Sequence, residues 1–247
     1  MTNRDIFGEA LLDYQAGRRG EVFTIRRDDG HTDRHDPALY FAPEPYAHER
    51  DLLDEALLDD ALGPVLDVGC GAGRTLLWLE ERGLAATGVD LSEGAVAVCR
   101  RRGCRDVRRI DAMAGLEAAR DAAPFRTAVL FGNNVGIGGT REGSEALLRR
   151  IAEAMAPGGR LLVTALDIAR TEAPHHLAYH ERNRRAGRPR GEIRMRFEYR
   201  GSLGPWIPWF HPEPSELQEL AAAAGWRVED VALPGGLFYG MRLRMPG

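Results

Sequence analysis

The chain has 247 residues, of which 44% are hydrophobic and 28% are charged, which suits one α/β domain with additions and excludes a largely disordered protein. Its 33 basic and 37 acidic residues give a net charge of −4, so a general polyanion-binding protein is not expected. No apolar run is long enough to span a membrane, no signal segment opens the chain, and the three cysteines form no CxxC pair. We therefore expect a cytoplasmic protein with no membrane or nucleic-acid partner.

The first 60 residues do not share the pattern of the rest of the chain. They contain a short amphipathic helix over residues 6–14, a possible hairpin around residues 28–30, and a helix over residues 48–61. Between these elements lie the aromatic residues Tyr40, Phe41 and Tyr46. Because this segment leads directly into the next strand, we expect residues 1–60 to form a lid whose aromatic rings fold over a ligand crevice.

From residue 61 onward, short apolar runs alternate with helical patterns. Strands are predicted at residues 65–68, 85–89, 106–110, 127–131 and 160–165, and helices at residues 92–101, with Ser92 as the N-cap, and 144–156. This alternation predicts a parallel sheet with helices on both faces. A helix at residues 215–224 and two strands at 226–233 and 236–245 follow, and the short turn between these strands makes them antiparallel.

A glycine-rich turn follows the first predicted strand. Residues 65–74 read VLDVGCGAGR, which places Gly69, Gly71 and Gly73 in GxGxG spacing. Glycines let a strand-to-helix turn bend tightly and lie against a ligand, and this turn is at the carboxyl end of a parallel strand, where ligands bind. A dinucleotide fingerprint has GxGxxG spacing, and Arg74 occupies its third glycine position. This spacing counts against an NAD-dependent oxidoreductase.

Acidic residues lie at three successive strand ends: Asp67 before the glycines, Asp90 after the second strand and Asp111 after the third. A carboxylate at Asp90 can accept both hydroxyls of a ribose, and one at Asp111 can accept from an adenine amine. Nothing nearby neutralises phosphate charge. The set therefore suits a nucleoside that carries an amine rather than a triphosphate.

With these motifs, residues 62–245 resemble the class I S-adenosylmethionine (SAM)-dependent methyltransferases. The resemblance implies an α/β fold with a Rossmann-like seven-stranded sheet of order 3-2-1-4-5-7-6, strand 7 antiparallel, and SAM as cofactor with S-adenosylhomocysteine as product. We expect two units, an N-terminal lid (residues 1–60) and a SAM-binding domain (residues 61–247) with an insertion after strand 5 (residues 168–212). The cofactor contacts that it implies are Asp67, Gly69, Cys70, Gly71, Gly73, Asp90, Leu91, Asp111, Ala112, Met113 and Asn133.

The acceptor site is expected in what is added to this core. The loop after the fourth strand holds Asn133 and Asn134, which either bind a ligand or only satisfy loop backbone groups. It lacks the [DN]PP[YF] pattern of amino-methylating nucleic-acid enzymes. No metal site is expected, because His176 and His180 lack the HExxH form. The candidate bases are His175, His176, Tyr179 and His211, and the candidate acceptor contacts are Asn134, Tyr40, Phe41, Trp206 and Trp209.

The sequence thus predicts a methyltransferase that acts in line on an O, N or C atom of a small molecule. A non-catalytic partner that keeps the fold is the alternative, and an NAD-dependent oxidoreductase is the second alternative. The acceptor, the need for a base and the choice between monomer and homodimer stay open. So does the role of residues 181–200, whose eight arginines and three glutamates either attract an anion or form a solvated face.

Overall fold

A computed structural model describes residues 4–41, 54, 56–119, 123–233 and 236–247. Its longer helices are α1 (Ile6–Gln15), α2 (Arg74–Glu81), α3 (Glu93–Arg101), α4 (Arg141–Ala154), α5 (Pro174–Arg185) and α6 (Pro214–Ala223). Its strands are β1 (Phe23–Arg27), β2 (Thr32–His35), β3 (Val65–Val68), β4 (Ala86–Asp90), β5 (Val107–Arg109), β6 (Phe125–Leu130), β7 (Met155–Leu166), β8 (Glu192–Tyr199), β9 (Ser202–Leu203), β10 (Ile207–Phe210), β11 (Arg227–Ala232) and β12 (Phe238–Arg244).

Seven strands form the main sheet, in the order β11-β12-β7-β6-β3-β4-β5. Strands β3 to β7 are parallel, and β12 inserts antiparallel between β7 and β11. All four residues of the central strand β3 are buried, as expected where helices cover both faces of a parallel sheet. Counted from β3, the order is 3-2-1-4-5-7-6, so the predicted sheet is confirmed.

Alternating residues of β3 enter two apolar layers on opposite faces of the main sheet. Leu66 packs in the layer that includes Leu147 of α4, and Val65 packs in the layer that includes Leu76 of α2. This alternation follows from the two-residue repeat of a strand. The carboxyl ends of the parallel strands are thus held at one edge by packing from both sides.

Helix boundaries follow their caps more closely than their apolar pattern. Ser92 caps α3 as predicted, since its Oγ accepts a hydrogen bond of 3.0 Å from the amide of Ala95. Helix α4 begins three residues earlier than predicted because Thr140 caps it by accepting from the amide of Gly143. It also ends earlier, because Met155 is already extended and pairs with β6.

A smaller antiparallel sheet, here called the accessory sheet, has the order β10-β8-β1-β2, with β9 paired to β8. The predicted hairpin around residues 28–30 is confirmed as β1 and β2. Strand β1 also pairs with β8, with Arg27 opposite Met195. The N-terminal segment and the insertion after β7 therefore share one sheet, which the sequence pattern did not indicate.

Helix α1 is fixed to the start of α3 by one carboxylate. Oδ1 of Asp5 accepts from the amide of Gly8, and Oδ2 accepts from Ser92 Oγ at 2.8 Å and from the amide of Gly94 at 2.9 Å. A Cβ on Gly94 would overlap the backbone of Gly8, and a Cβ on Gly8 would overlap the carboxylate of Asp5 and Ser92 Oγ, so a side chain at either glycine would disturb this contact.

The predicted roles of Tyr46, of most of the helix at residues 48–61 and of the turn at residues 234–235 lie outside the described residues. Within the described part of the chain, no helix has the length and apolar character needed to cross a membrane.

Candidate functional site

The glycine turn lies at the carboxyl end of β3 and needs glycine for two reasons. Gly69, Gly71 and Gly73 have φ values of 78°, 55° and 80°, a region that side-chain-bearing residues avoid. In addition, a Cβ on Gly69 would overlap the side-chain amide of Asn134. The turn therefore exposes backbone, free of side chains, at the crevice between the strand ends.

Asp90, at the end of β4, holds the glycine turn in place. Its Oδ2 accepts from the amide of Gly71 at 2.9 Å, and its Oδ1 accepts from the amide of Ser92 at 2.9 Å. Burial raises the pKa of Asp90, although these two hydrogen bonds oppose the shift. Each carboxylate oxygen keeps a lone pair for a further donor. The neighbouring Leu91 is 61% exposed and offers an apolar surface at the same crevice.

Asp67 is buried one residue before the end of β3, and its Oδ2 has no hydrogen-bond partner among the described residues. Burial, followed by the negative charge of Asp90, raises the pKa of Asp67 to about 7. An unpaired buried carboxylate oxygen is unfavourable unless a donor or a cation reaches it. The site thus contains a carboxylate suited to an ammonium group.

The end of β5 supplies the third acidic residue. Asp111 is exposed, and its Oδ1 accepts from the amide of Met113 at 2.9 Å, which shapes the turn. Ala112 is buried, whereas Met113 is half-buried and packs against the core.

Cys70 lies in the glycine turn. A hydrogen bond with Cys99 lowers the pKa of its thiol, but burial and the nearby carboxylates raise this pKa to about 11, so the thiol is no nucleophile.

Comparison with known proteins decides the family. A family model described as a methyltransferase domain matches residues 65–159. A SAM-dependent methyltransferase from Bacteroides fragilis, solved in complex with S-adenosyl-L-homocysteine, is 25% identical, with a TM-score of 0.81 over 100% of this chain and 97% of that chain. The chain is a class I SAM-dependent methyltransferase. Its cofactor is therefore SAM.

Two further matches are partial or more distant. A protein of Idiomarina loihiensis named ubiquinone biosynthesis O-methyltransferase is 32% identical over 108 residues, which is 42% of each chain. The matched segment thus spans less than half the length of that relative. A SAM-dependent methyltransferase structure from Methanosarcina mazei is 15% identical, with a TM-score of 0.58 over 74% of this chain and 92% of that chain, and shows the fold alone.

Both asparagines after β6 bind the protein's own backbone. Nδ2 of Asn134 donates to the carbonyls of Val68 at 2.9 Å and Gly69 at 2.8 Å. Asn133 has a φ of 71°, and its Oδ1 accepts from the amide of Leu166. This geometry favours the alternative in which the asparagines satisfy loop groups, and it argues against direct acceptor binding by Asn134. The bonds by which Asn134 holds the glycine turn and Asn133 holds the end of β7 cannot be predicted from the sequence.

Tyr40 and Phe41 pack between α1 and the glycine turn of the methyltransferase. The ring of Tyr40 lies 5.0 Å from that of Phe7 and next to Gly71, and the ring of Phe41 lies 4.6 Å from that of Tyr14. Arg102 donates to the backbone carbonyl of Phe41 and stacks on its ring. These contacts place both rings on the cofactor side, so the geometry favours neither Tyr40 nor Phe41 as an acceptor contact.

The two candidate tryptophans lie on opposite faces of the accessory sheet. The pairing of Trp209 with Ile193, and of Met195 with Arg27, puts all four side chains on one face, here called the inner face. Trp209 packs on the backbone of Gly136, in the loop after β6, while Trp206 stacks under Arg196 of the outer face. Trp209 therefore borders the crevice, and Trp206 does not.

His211 continues the inner face beyond Trp209, since its amide donates to the carbonyl of Gly191 as β10 pairs with β8. Its Nδ1 is buried and has no partner in the described parts of the chain. Burial, and then the charges of Arg27, His180 and His176, lower the pKa of His211 to about 4. The ring is therefore neutral at neutral pH and keeps a free lone pair.

The other candidate bases are more constrained. The hydroxyl of Tyr179 donates to Asp28 at 2.7 Å, and its ring lies between the guanidinium groups of Arg27 and Arg182, so its geometry favours a structural role. His176 has its Nδ1 2.9 Å from Arg27 Nη1, and His175 is exposed.

Most of the arginines of residues 181–200 have acidic partners, which favours the solvated-face alternative.

Proposed function

We propose that this methyltransferase methylates a hydroxyl oxygen of a small aromatic molecule, bound between the loop after β6 and the inner face of the accessory sheet. One observation carries this function: the half-buried, neutral His211, whose buried Nδ1 has no partner among the described residues, lies on the same face as Trp209, which packs on the loop after β6. A buried polar atom without a partner is expected where a ligand supplies one.

The described residues fit SAM. Asp67 would hold the amino group through its unpaired oxygen, and Asp90 would accept from the ribose hydroxyls. Leu91 and Met113 would flank the adenine, with Asp111 at its amine. Asn134 would position the glycine turn, and Asn133 would hold the loop after β6 to the end of β7. When bound, SAM supplies an electrophilic methyl group on a sulfonium.

The inner face of the accessory sheet supports an aromatic acceptor. Trp209, Ile193 and Ile207 are half-buried, and Met195 is buried, so the part of this face formed by β8 and β10 is apolar beside Arg27. Arg27 is held by Asp29 through two hydrogen bonds of 2.9 and 2.7 Å and is not free for an anion. Such a wall fits a planar ring and excludes water from the site. Residues 1–60, which supply β1 and β2 to this sheet, would form the proposed lid over the acceptor.

His211 would remove the proton from the acceptor hydroxyl. The oxygen gains the methyl group and must lose its proton, which passes to Nδ1 of His211. A low pKa is sufficient here, because a hydroxyl that is forming a third bond becomes strongly acidic. Oxygen as the methylated atom is also supported by the partial match to a protein named as an O-methyltransferase.

The test compares His211→Gln with His180→Gln, a control whose half-buried histidine lies on α5. Release of S-adenosylhomocysteine is measured with a panel of monohydroxy and dihydroxy aromatic compounds and the matching anilines. We expect His211→Gln to lower kcat by about 100-fold or more, with SAM affinity unchanged by calorimetry and the control close to wild type.

Two results would contradict this function. A wild-type enzyme that methylates the anilines but none of the hydroxy compounds would assign nitrogen instead of oxygen. Full activity of His211→Gln on a hydroxy compound would remove His211 from the reaction.

A further inference from the structure

Three histidines from two distant segments meet at one end of the accessory sheet. His31 precedes β2, and His175 and His176 lie in the first turn of α5. One ring nitrogen of each lies within 4.8 Å of the others. The rings of His31 and His175 are stacked with centroids 4.2 Å apart, and those of His175 and His176 are 4.1 Å apart.

We propose that His31, His175 and His176 bind one divalent transition-metal ion, with Zn²⁺ as the representative. Tetrahedral Zn²⁺ holds imidazole nitrogens at about 2.0–2.1 Å, which places them about 3.4 Å from one another. Side-chain rotations that move each nitrogen by about 1 Å bring the observed cluster to this geometry. Three imidazoles suit Zn²⁺, Ni²⁺ or Cu²⁺, whereas Mg²⁺ and Ca²⁺ need oxygen ligands.

A neighbouring carboxylate orients one of the three rings. Oδ1 of Asp33 lies 3.1 Å from Nε2 of His31, which leaves Nδ1 of His31 for the ion. A carboxylate on the far nitrogen of a metal-binding histidine fixes the ring and makes it a better ligand. Asp33 is exposed, so its presence here is not explained by packing.

Arg27 competes with the ion for His176. A guanidinium only donates, so Nδ1 of His176 accepts from Arg27 Nη1 at 2.9 Å. An ion on Nδ1 displaces this donor, and an ion on Nε2 moves the proton to Nδ1, where it opposes Arg27. In both cases the hydrogen bond is lost, while Arg27 keeps its pair with Asp29. We therefore expect weaker binding than in a closed structural zinc site.

The ion would join the β1–β2 hairpin to α5 and leave a fourth position open to water. It lies outside the glycine turn, so SAM binding does not depend on it. This site is independent of the acceptor and of the methylated atom, and its test uses neither.

The experiment uses the full chain without a histidine tag, stripped with EDTA and titrated with ZnCl₂ by calorimetry and with CoCl₂ by visible absorption. We expect one ion per chain, a rise in Tm with ZnCl₂, and the absorption bands of tetrahedral Co²⁺. Asp33→Asn should weaken binding by about 10–100-fold, and His175→Ala by more. His180→Ala, one turn along the same helix, should bind as wild type does.

Both loss variants change exposed side chains, and unchanged SAM binding shows that they are folded. Absence of stoichiometric Zn²⁺ and Co²⁺ binding by the wild type would overturn the site. So would binding that His175→Ala leaves unchanged, or that His180→Ala weakens as much.

Discussion

At the level of single residues, the carboxyl of Asp67 links protonation to stability. Its pKa is about 7 in the folded protein, raised by burial and by Asp90 from an ordinary value of 3.8. Between these two pH values the folded state binds a proton that the unfolded state has lost. The free energy of unfolding of the ligand-free protein therefore decreases as the pH rises from about 4 to about 7, as far as this group determines it.

We predict that Asp67→Asn stabilises the ligand-free protein at about pH 8 and has little effect at about pH 4, because the amide removes the buried charge. A gain of 1 kcal/mol corresponds to a rise in Tm of about 2–4 °C in a chain of this size. The same variant should lose the increase in Tm that SAM gives the wild type. Scanning fluorimetry at both pH values checks this, and an equal change in Tm at both would contradict it.

Asp90 is the second carboxylate whose substitution tests SAM binding. Asp90→Asn keeps the shape of the side chain but replaces one of the two carboxylate oxygens, which accept from Gly71 and Ser92 and would also accept from the ribose, with an amide donor. We expect SAM affinity to decrease by about 10–100-fold, the equivalent of one charge-assisted hydrogen bond. Calorimetry checks this against Asp106→Asn, a carboxylate held by Thr87 and Arg108 before β5. Equal affinities would remove Asp90 from the cofactor site.

At the level of elements, Asp5 joins two helices through their N-termini. It accepts from amides in the first turns of both α1 and α3, where a negative charge also interacts favourably with the helix dipoles. We expect Asp5→Ala to lower the free energy of unfolding by about 2–3 kcal/mol, more than the about 1 kcal/mol typical of a single cap. Asp36→Ala, which removes a cap from one short 3-10 turn, is the control. Urea unfolding that gives both variants the same loss would contradict this role.

The elements that could be predicted from the sequence are those whose pattern is local. Strand β3 is fully buried and apolar except for Asp67, because helices cover both of its faces, and the Ser92 cap predicts the start of α3. The apolar pattern predicts too late a start for α4, because the Thr140 cap precedes the first apolar residue of the stripe. The partner of β8 could not be predicted, because β1 lies far away in the chain and only tertiary structure brings the two strands together.

At the scale of the whole molecule, the cofactor side of the site can be predicted from the sequence more fully than the acceptor side. Parallel strands end at one edge, so the acidic residues after successive strands were expected to converge. The acceptor side depends on the register of the accessory sheet, which decides that Trp209 faces the crevice and Trp206 faces away. The partners of Asn134 and the meeting of His31 with α5 likewise exist only in the folded chain.

The pairing of β1 with β8 also sets an order of assembly during synthesis. Arg26 and Glu198 form an ion pair across these strands but are 172 residues apart in the chain. At about 5–20 residues per second, a ribosome needs about 10–30 s to supply the second strand after the first. Strands β3 to β7 emerge within that interval and can pair with one another, while Phe23 waits without its neighbour Phe197. The inner face of the accessory sheet, which we propose binds the acceptor, is therefore completed after the glycine turn, which binds the cofactor.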